Sequence, residues 1–307
     1  VDMVIEYERD SARDAWRDRI LLATDDYTKN CVGGDNIDHT GQAENLVRNA
    51  IPPEMDINKI YMCEWDCDYS GFKPAAQSLL FSTLDEGVLI FNYVGHGGND
   101  VLSDEQLLLT NRLPSLVNDE RRFLFVSASC NVGKYDDTDG KSMSEEMISL
   151  PQGGAIGTMA STALSFAYYN NILNRNFLQE LFPERRLAGG APIGVALLRA
   201  KVRIQQEDYY SGQGANNERY AILGDPSLRL LAPQLQLSFD SDRADTLQVG
   251  GSLALAGEVL RNGLLAADFN GELDLSVRAS ADTSGFWRPN DIHVDYHLLG
   301  PEIFRGR

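Results

Sequence analysis

The strongest constraint in this chain is a series of short apolar runs with almost no polar alternation. Residues 19–24 (RILLAT), 59–63 (KIYMC), 88–94 (VLIFNYV), 123–129 (FLFVSAS) and 154–161 (GAIGTMAS) are all of strand length. A strand that is apolar on both faces needs cover on both faces, which in practice means a mostly parallel sheet flanked by helices. Stretches with helical patterning separate the runs, at 40–49, 74–84, 104–110, 143–150, 170–181 and 192–206. The alternation predicts an α/β domain with a doubly wound sheet over residues 1–232. Thr40 stands at the expected N-cap of the first helix, and Ser142 with Glu145 three residues on has capping-box spacing.

Beyond Pro226 and Pro233 the pattern changes. LQLSF, SLALAGEV, GELDLSVRA and IHVDYHL alternate apolar and polar residues between Gly, Asn and Asp turns. Strands with one wet face are expected there, so residues 233–307 predict a small all-β sandwich. Arg307 follows IFRG without a closing turn, so this second domain reads as truncated. The chain starts at Val1 with no basic-then-apolar leader, which reads as a mature or excised piece whose export signal lies elsewhere.

Acidic side chains outnumber basic ones 45 to 27, a formal charge of −18. Nucleic acid and anionic lipid are held by basic surface, so neither is an expected partner. No run approaches the roughly 20 apolar residues of a membrane helix, so no direct membrane span is expected. Four cysteines (Cys31, Cys63, Cys67 and Cys130) are too few for a disulfide scaffold. One disulfide between two of the first three is the simplest arrangement. Zinc on those three with His39 is the weaker option, because C-x3-C at Cys63 and Cys67 has no second pair.

Two segments carry the candidate chemistry. In FNYVGHGGN (91–99) a buried strand runs into His96, and in FLFVSASCNVGKYDD (123–137) another runs into Cys130. Ligands of open parallel sheets bind beyond the carboxyl ends of the strands. Placed there on adjacent strands, an imidazole and a thiol would face one crevice. The thiolate is a strong nucleophile, and the imidazole can take its proton and later protonate a leaving amine. The glycines around His96 admit a carbonyl closely, and the N–H groups of Gly97 and Cys130 are candidate oxyanion donors.

Other polar residues are weaker candidates. The acids nearest probable strand ends are Asp25, Asp26, Asp38 and Glu64, and the sequence does not choose which orients His96. Each alone reads as a solvated charge. Capping or salt bridging accounts for Glu105 and Glu145. His39 reads as a loop hydrogen-bonding residue, His293 and His297 as second-domain residues without a catalytic role, and Asp225-Pro226 as a turn. Asp136, Asp137 and Asp139 resemble the start of a calcium loop but lack the terminal acid, because Ile148 stands at its twelfth position.

The two chemical segments resemble the gingipain-type cysteine peptidases, peptidase family C25, which have a caspase-like fold. The likeness extends in order through ILLATDD, NYVGHGG with Glu105, SASCNVGKYDD, SMSEEM, GGAIGTMAST, NNILNRNFLQELF and LGDPSLRL. It is nearest the branch containing the type IX secretion signal peptidase and sortase, PorU. FNGELDLSV and HLLGPEIFRG resemble the immunoglobulin-like domain that often follows. Leu102 and Asn131 depart from that branch, where an aromatic and an acidic residue are common. The resemblance implies a Cys130–His96 dyad acting on protein or peptide substrates, with no cofactor in the chemistry and a structural calcium ion as an option at Asp136, Asp137 and Asp139. For a PorU-like enzyme the substrates would be C-terminal signal domains of secreted cargo, with outer-membrane secretion components as partners. A lipopolysaccharide amine could then replace water. The expected location is secreted, or the outer-membrane surface of a Gram-negative bacterium. The alternatives are a secreted endopeptidase without transpeptidation, and a non-catalytic surface adhesion or assembly module.

Overall fold

The computed structural model describes residues 2–9, 15–26, 31, 37–187, 190–207, 213–233, 235–239, 256–261, 263–271, 273, 275–279, 282–288, 292–298 and 302–306. In chain order the first elements are α1 (Asp2–Arg9), β1 (Arg19–Thr24), α2 (His39–Asn49), β2 (Asp56–Tyr61), α3 (Pro74–Glu86) and β3 (Ile90–Val94). Then come β4 (Val101–Leu102), β5 (Leu108–Leu109), β6 (Phe123–Ala128), α4 (Met143–Ser149), β7 (Ala155–Ser161) and α5 (Ala167–Leu181). The helices α6 (Ile193–Glu207) and α7 (Gln213–Glu218) lead into β8 (Tyr220–Gly224).

Six strands form one sheet in the order β2-β1-β3-β6-β7-β8, parallel except for the β7–β8 pair. Side chains alternate between two apolar layers, as the doubly covered pattern requires. Ile20, Leu22, Ile90, Leu124 and Val126 pack with α2, α5 and α6 through Leu46, Phe177 and Ile193. Leu21, Ala23, Phe91, Phe123 and Phe125 pack with α3 and α4 through Leu80 and Met147. Asn92 is the polar exception on β3. It is fully buried and exchanges two hydrogen bonds with Asn174 of α5, at 2.8 and 3.0 Å, so neither amide is stranded.

Two sequence expectations are corrected, and one strand is added. Residues 104–110 are not a helix. They form the turn and second strand of the β4–β5 hairpin, with Ser103 and Gln106 at positive φ, and enter a 3-10 turn at Thr110–Ser115. Helical propensity there yields to burial of Leu102, Leu107 and Leu108. The N-cap of α2 is Asp38, whose carboxylate accepts the Gly41 N–H at 2.7 Å, while Thr40 is buried in the first turn. The β8 strand, antiparallel at the sheet edge, was not among the expected strands.

After residue 232 the described strands are β9 (Leu235–Phe239), β10 (Gly257–Arg261), β11 (Leu264–Leu265), β12 (Leu275–Arg278), β13 (Asp282–Arg288), β14 (Ile292–Leu298) and β15 (Glu302–Gly306). They pair antiparallel in small sheets. β14 touches the α/β layer where Tyr296 packs edge-on against Tyr61 and Lys59 donates to the His297 carbonyl at 2.6 Å.

The capping box at α4 ties the loops after β3 and β6 together. Ser142 and Glu145 bond reciprocally, Met143 N–H donates to Asn99, and Ser144 N–H donates to Val132. Ser142→Ala should cost about 1 kcal/mol in urea denaturation; a loss under about 0.3 kcal/mol would show that the cap does not hold these loops.

Candidate active site

Strands β3 and β6 are adjacent and parallel, and their last matched pair is Val94 with Ala128. His96 and Cys130 each lie two residues beyond that pair. Neighbouring strands are about 4.8 Å apart, so both chains leave the sheet side by side at its carboxyl edge. Gly95 N–H still reaches the Ala128 carbonyl at 3.5 Å. His96 is exposed and Cys130 half-buried, so neither is sealed under the core.

The glycines flanking His96 are there for close approach. A Cβ on Gly95 would sit 2.4 Å from Asp25 Cβ, and one on Gly97 would sit 2.7 Å from Ser129 Oγ and 2.8 Å from Val132 Cγ2. Any side chain at 97 would push the histidine loop off the cysteine loop. The two hydrogen bonds that join this loop to β4 fall on either side of Gly97, from Ser103 N–H to the His96 carbonyl and from Gly98 N–H to Val101. Tyr93 Oη also donates to the His96 carbonyl, at 2.6 Å. The backbone carrying the imidazole is thus held on both sides.

Asp25, at the end of β1, is the acid that meets this segment. Its buried carboxylate accepts the His96 backbone N–H at 2.9 Å and that of Asp26 at 2.9 Å. Burial raises its pKa, opposed by the nearby His39 and His96. His39 opens α2, is buried, and presents its ring edge-on to His96 with centroids 5.7 Å apart. One ligand-capable atom each of Asp25, His39 and His96 falls within 4.8 Å of the others. That spacing suits a proton relay and would also suit a metal that favours imidazole. The expectation that His39 is only a loop residue is therefore corrected. Its sequence signal was its place at a helix start next to a capping aspartate, too common to single it out.

Behind Asp25 lies a charged cluster. Lys73 is buried, pairs with Asp26, and donates to the Met62 carbonyl at 2.7 Å. Glu105 accepts from Ser103 Oγ at 2.8 Å. Oxygens of Asp25, Asp26 and Glu105 fall within 4.8 Å of one another, with the Lys73 ammonium as counter-charge on Asp26. Glu105 is thus part of this cluster and not a cap, whereas Glu145 is the capping residue its spacing implied.

Burial raises the Glu105 pKa from 4.5 to about 7, aided by repulsion from Asp25 and Asp26 and opposed by the Ser103 hydroxyl. Native Glu105 therefore keeps its proton in a pH window where the unfolded chain has lost it. Stability from this group is present below about 4.5 and declines as pH rises toward about 7. Relative to wild type, Glu105→Gln should melt progressively higher between about pH 5 and about pH 8. Parallel melting curves for the two proteins across that range would refute the shared-charge account.

Cys130 is followed by Asn131 at φ 58°, a left-handed residue that turns the chain sharply after the thiol. Its Sγ accepts the Ser165 N–H at 3.3 Å and donates to the Ser165 carbonyl at 3.3 Å. The remaining candidates lie elsewhere. Cys31 and Cys67 form a disulfide, which removes them as zinc ligands. Cys63 is a partly buried thiol beside Thr40, pushed up to about 11 by burial. Asp38 is a helix cap, Glu64 is exposed, and Asp225 accepts from Ser227 in the expected turn. Asp137 accepts from Asn99, Lys134 and the Asp139 N–H, and the exposed Asp136 and Asp139 are not in either close-packed ligand group. His297 shares a hydrogen bond with Thr283, and His293 lies on β14.

Comparison with known proteins bears on the family and the fold. The model of peptidase family C25 matches residues 1–231. The crystal structure of the Arg-specific cysteine proteinase gingipain R (RgpB) is similar with a TM-score of 0.59 at 17% identity, covering 98% of this chain and 71% of that one. A protease structure is similar with a TM-score of 0.58 at 15% identity, covering 97% of this chain and 70% of that one. The complex of Porphyromonas gingivalis RgpB pro- and mature domains is similar at 0.56 and 16% identity, covering 98% and 73%. No curated protein matches the sequence significantly. The α/β layer is thus the caspase-like fold of the gingipains, and the chain belongs to peptidase family C25, a family of cysteine peptidases.

Proposed function

We propose that Cys130 is the nucleophile and His96 the general acid–base of this peptidase. The observation that carries the proposal is the shared register of β3 and β6, with each side chain two residues past the last pair. The Cys130 proton passes to His96, and the sulfur bonds to the scissile carbonyl carbon. The oxyanion is held by the Gly97 and Cys130 amides. As the C–N bond breaks, His96 returns the proton to the departing amine, leaving a thioester on Cys130. Water, or a second amine, then releases the acyl group.

Asp25 is the orienting acid in this reading, supported by its bond to the His96 backbone and its closeness to both imidazoles. No cofactor takes part in the scheme. The Cys31–Cys67 disulfide favours an oxidising compartment, hence a secreted or surface enzyme. Residues 233–307 are read as the immunoglobulin-like domain. Within the family we place the chain in the PorU-like branch, on the order and spacing of its motifs, with C-terminal signal domains of cargo as substrates. Incubation with such a domain and an added amine should give an amide-linked product; hydrolysis alone would leave a plain endopeptidase.

Cys130→Ala should abolish peptide cleavage, and His96→Ala should slow it by about 100-fold or more. Iodoacetamide at about pH 6 should label Cys130 well ahead of Cys63. Equal labelling of the two thiols, with unchanged cleavage in Cys130→Ala, would instead indicate a non-catalytic surface module.

A further inference from the structure

The sulfur of Cys130 sits at the end of a hydrogen-bond chain whose direction is fixed. The chain begins at the Phe166 backbone N–H, which can only donate, and does so to Asn216 Oδ1 at 2.9 Å. That bond sets the Asn216 amide, whose Nδ2 donates to Asn170 Oδ1 at 3.1 Å. Asn170 is thereby set as well, and its Nδ2 donates to Ser165 Oγ at 2.9 Å. Asn216 and Asn170 are both buried, so neither amide can turn to water for a different partner.

Ser165 Oγ therefore accepts from Asn170, and its single proton must go elsewhere. Three acceptors are in range, the Ser129 carbonyl at 3.1 Å, Cys130 Sγ at 3.6 Å and the Tyr220 hydroxyl, whose own proton can go to the Ser129 carbonyl. With a neutral thiol, the S–H donates to the Ser165 carbonyl and the hydroxyl rests on Ser129. Once sulfur is charged it becomes the stronger acceptor, because bonds to ionised groups are about twice as strong. Rotation of the hydroxyl toward sulfur does not strand the Ser129 carbonyl, since Tyr220 Oη also donates to it at 3.4 Å. Burial holds the Tyr220 phenol above its ordinary range, so it keeps the proton this requires. The Ser165 N–H already points at the sulfur from 3.3 Å.

We propose that Ser165 is a positioning residue for the Cys130 thiolate, offering it a backbone and a hydroxyl donor, with the hydroxyl aimed by Asn170 and Asn216. The charged sulfur is then supported from the α5 side, independently of the imidazole across the cleft. The inference rests on Cys130 being the nucleophile, and its test reads the thiol directly.

The full chain and its variants are alkylated with iodoacetamide at about pH 6, with Cys63 as the internal reference. Ser165→Ala should slow Cys130 alkylation roughly tenfold, and Ser165→Thr, which keeps the hydroxyl, should restore most of the rate. Asn170→Asp keeps the size but turns a donor into an acceptor. It should capture the Ser165 proton and slow alkylation as Ser165→Ala does. A fast wild type matched by Ser165→Ala, or a Ser165→Thr as slow as Ser165→Ala, overturns the inference while leaving the nucleophile reading intact. A wild-type Cys130 that labels no faster than an ordinary exposed thiol overturns both.

Discussion

The matched parallel pairing of β3 with β6 is the constraint on which the candidate site depends. Two residues far apart in sequence reach the same height on the sheet because the hydrogen-bond ladder fixes their strands in register. A shift of one residue in either strand would turn its side chains to the opposite face and separate the two groups. The apolar layers on both faces prevent that shift, since every residue of β3 and β6 is buried. Packing far from the chemistry thus sets the geometry of the chemistry.

The same edge of the sheet carries an unusual amount of buried charge. Asp25, Asp26, Glu105 and Lys73 all lie beneath the His96 loop, where isolated charges are costly. The Asp26–Lys73 pair reduces that cost, and Glu105 holds its proton chiefly because it is buried, with repulsion from Asp25 and Asp26 adding to the effect. Asp25 and His39 complete the surroundings of His96 from β1 and α2. Strand ends and a helix start converge on one imidazole. The sheet and α2 together provide this convergence.

Most of the α/β framework was legible because its strands are apolar on both faces and its helices carry local start signals such as Ser142 and Glu145. His96 and Cys130 stood out as candidates for a related reason, each following an apolar run, and the structure places both two residues past the last β3–β6 pair. The rest was hidden by tertiary effects. Ser103 and Gln106 adopt positive φ to form a hairpin that a Glu- and Leu-rich segment does not advertise. Nothing local separates Asp25 from Asp26, yet one meets His96 and the other a buried lysine. His39 becomes significant only when α2 is brought over the sheet. The left-handed Asn131 is likewise readable only from the backbone.

The paired amides of Asn92 and Asn174 have a mechanical consequence. Asn92 lies on the strand that leads to His96, and Asn174 is one turn along α5 from Asn170, on the same side of that helix. The pair acts as a dowel between sheet and helix. It indexes the helix axially against the strand, which a greasy contact would resist far less. The spacing of β3 and α5 is therefore gauged from within, by two buried neutral side chains.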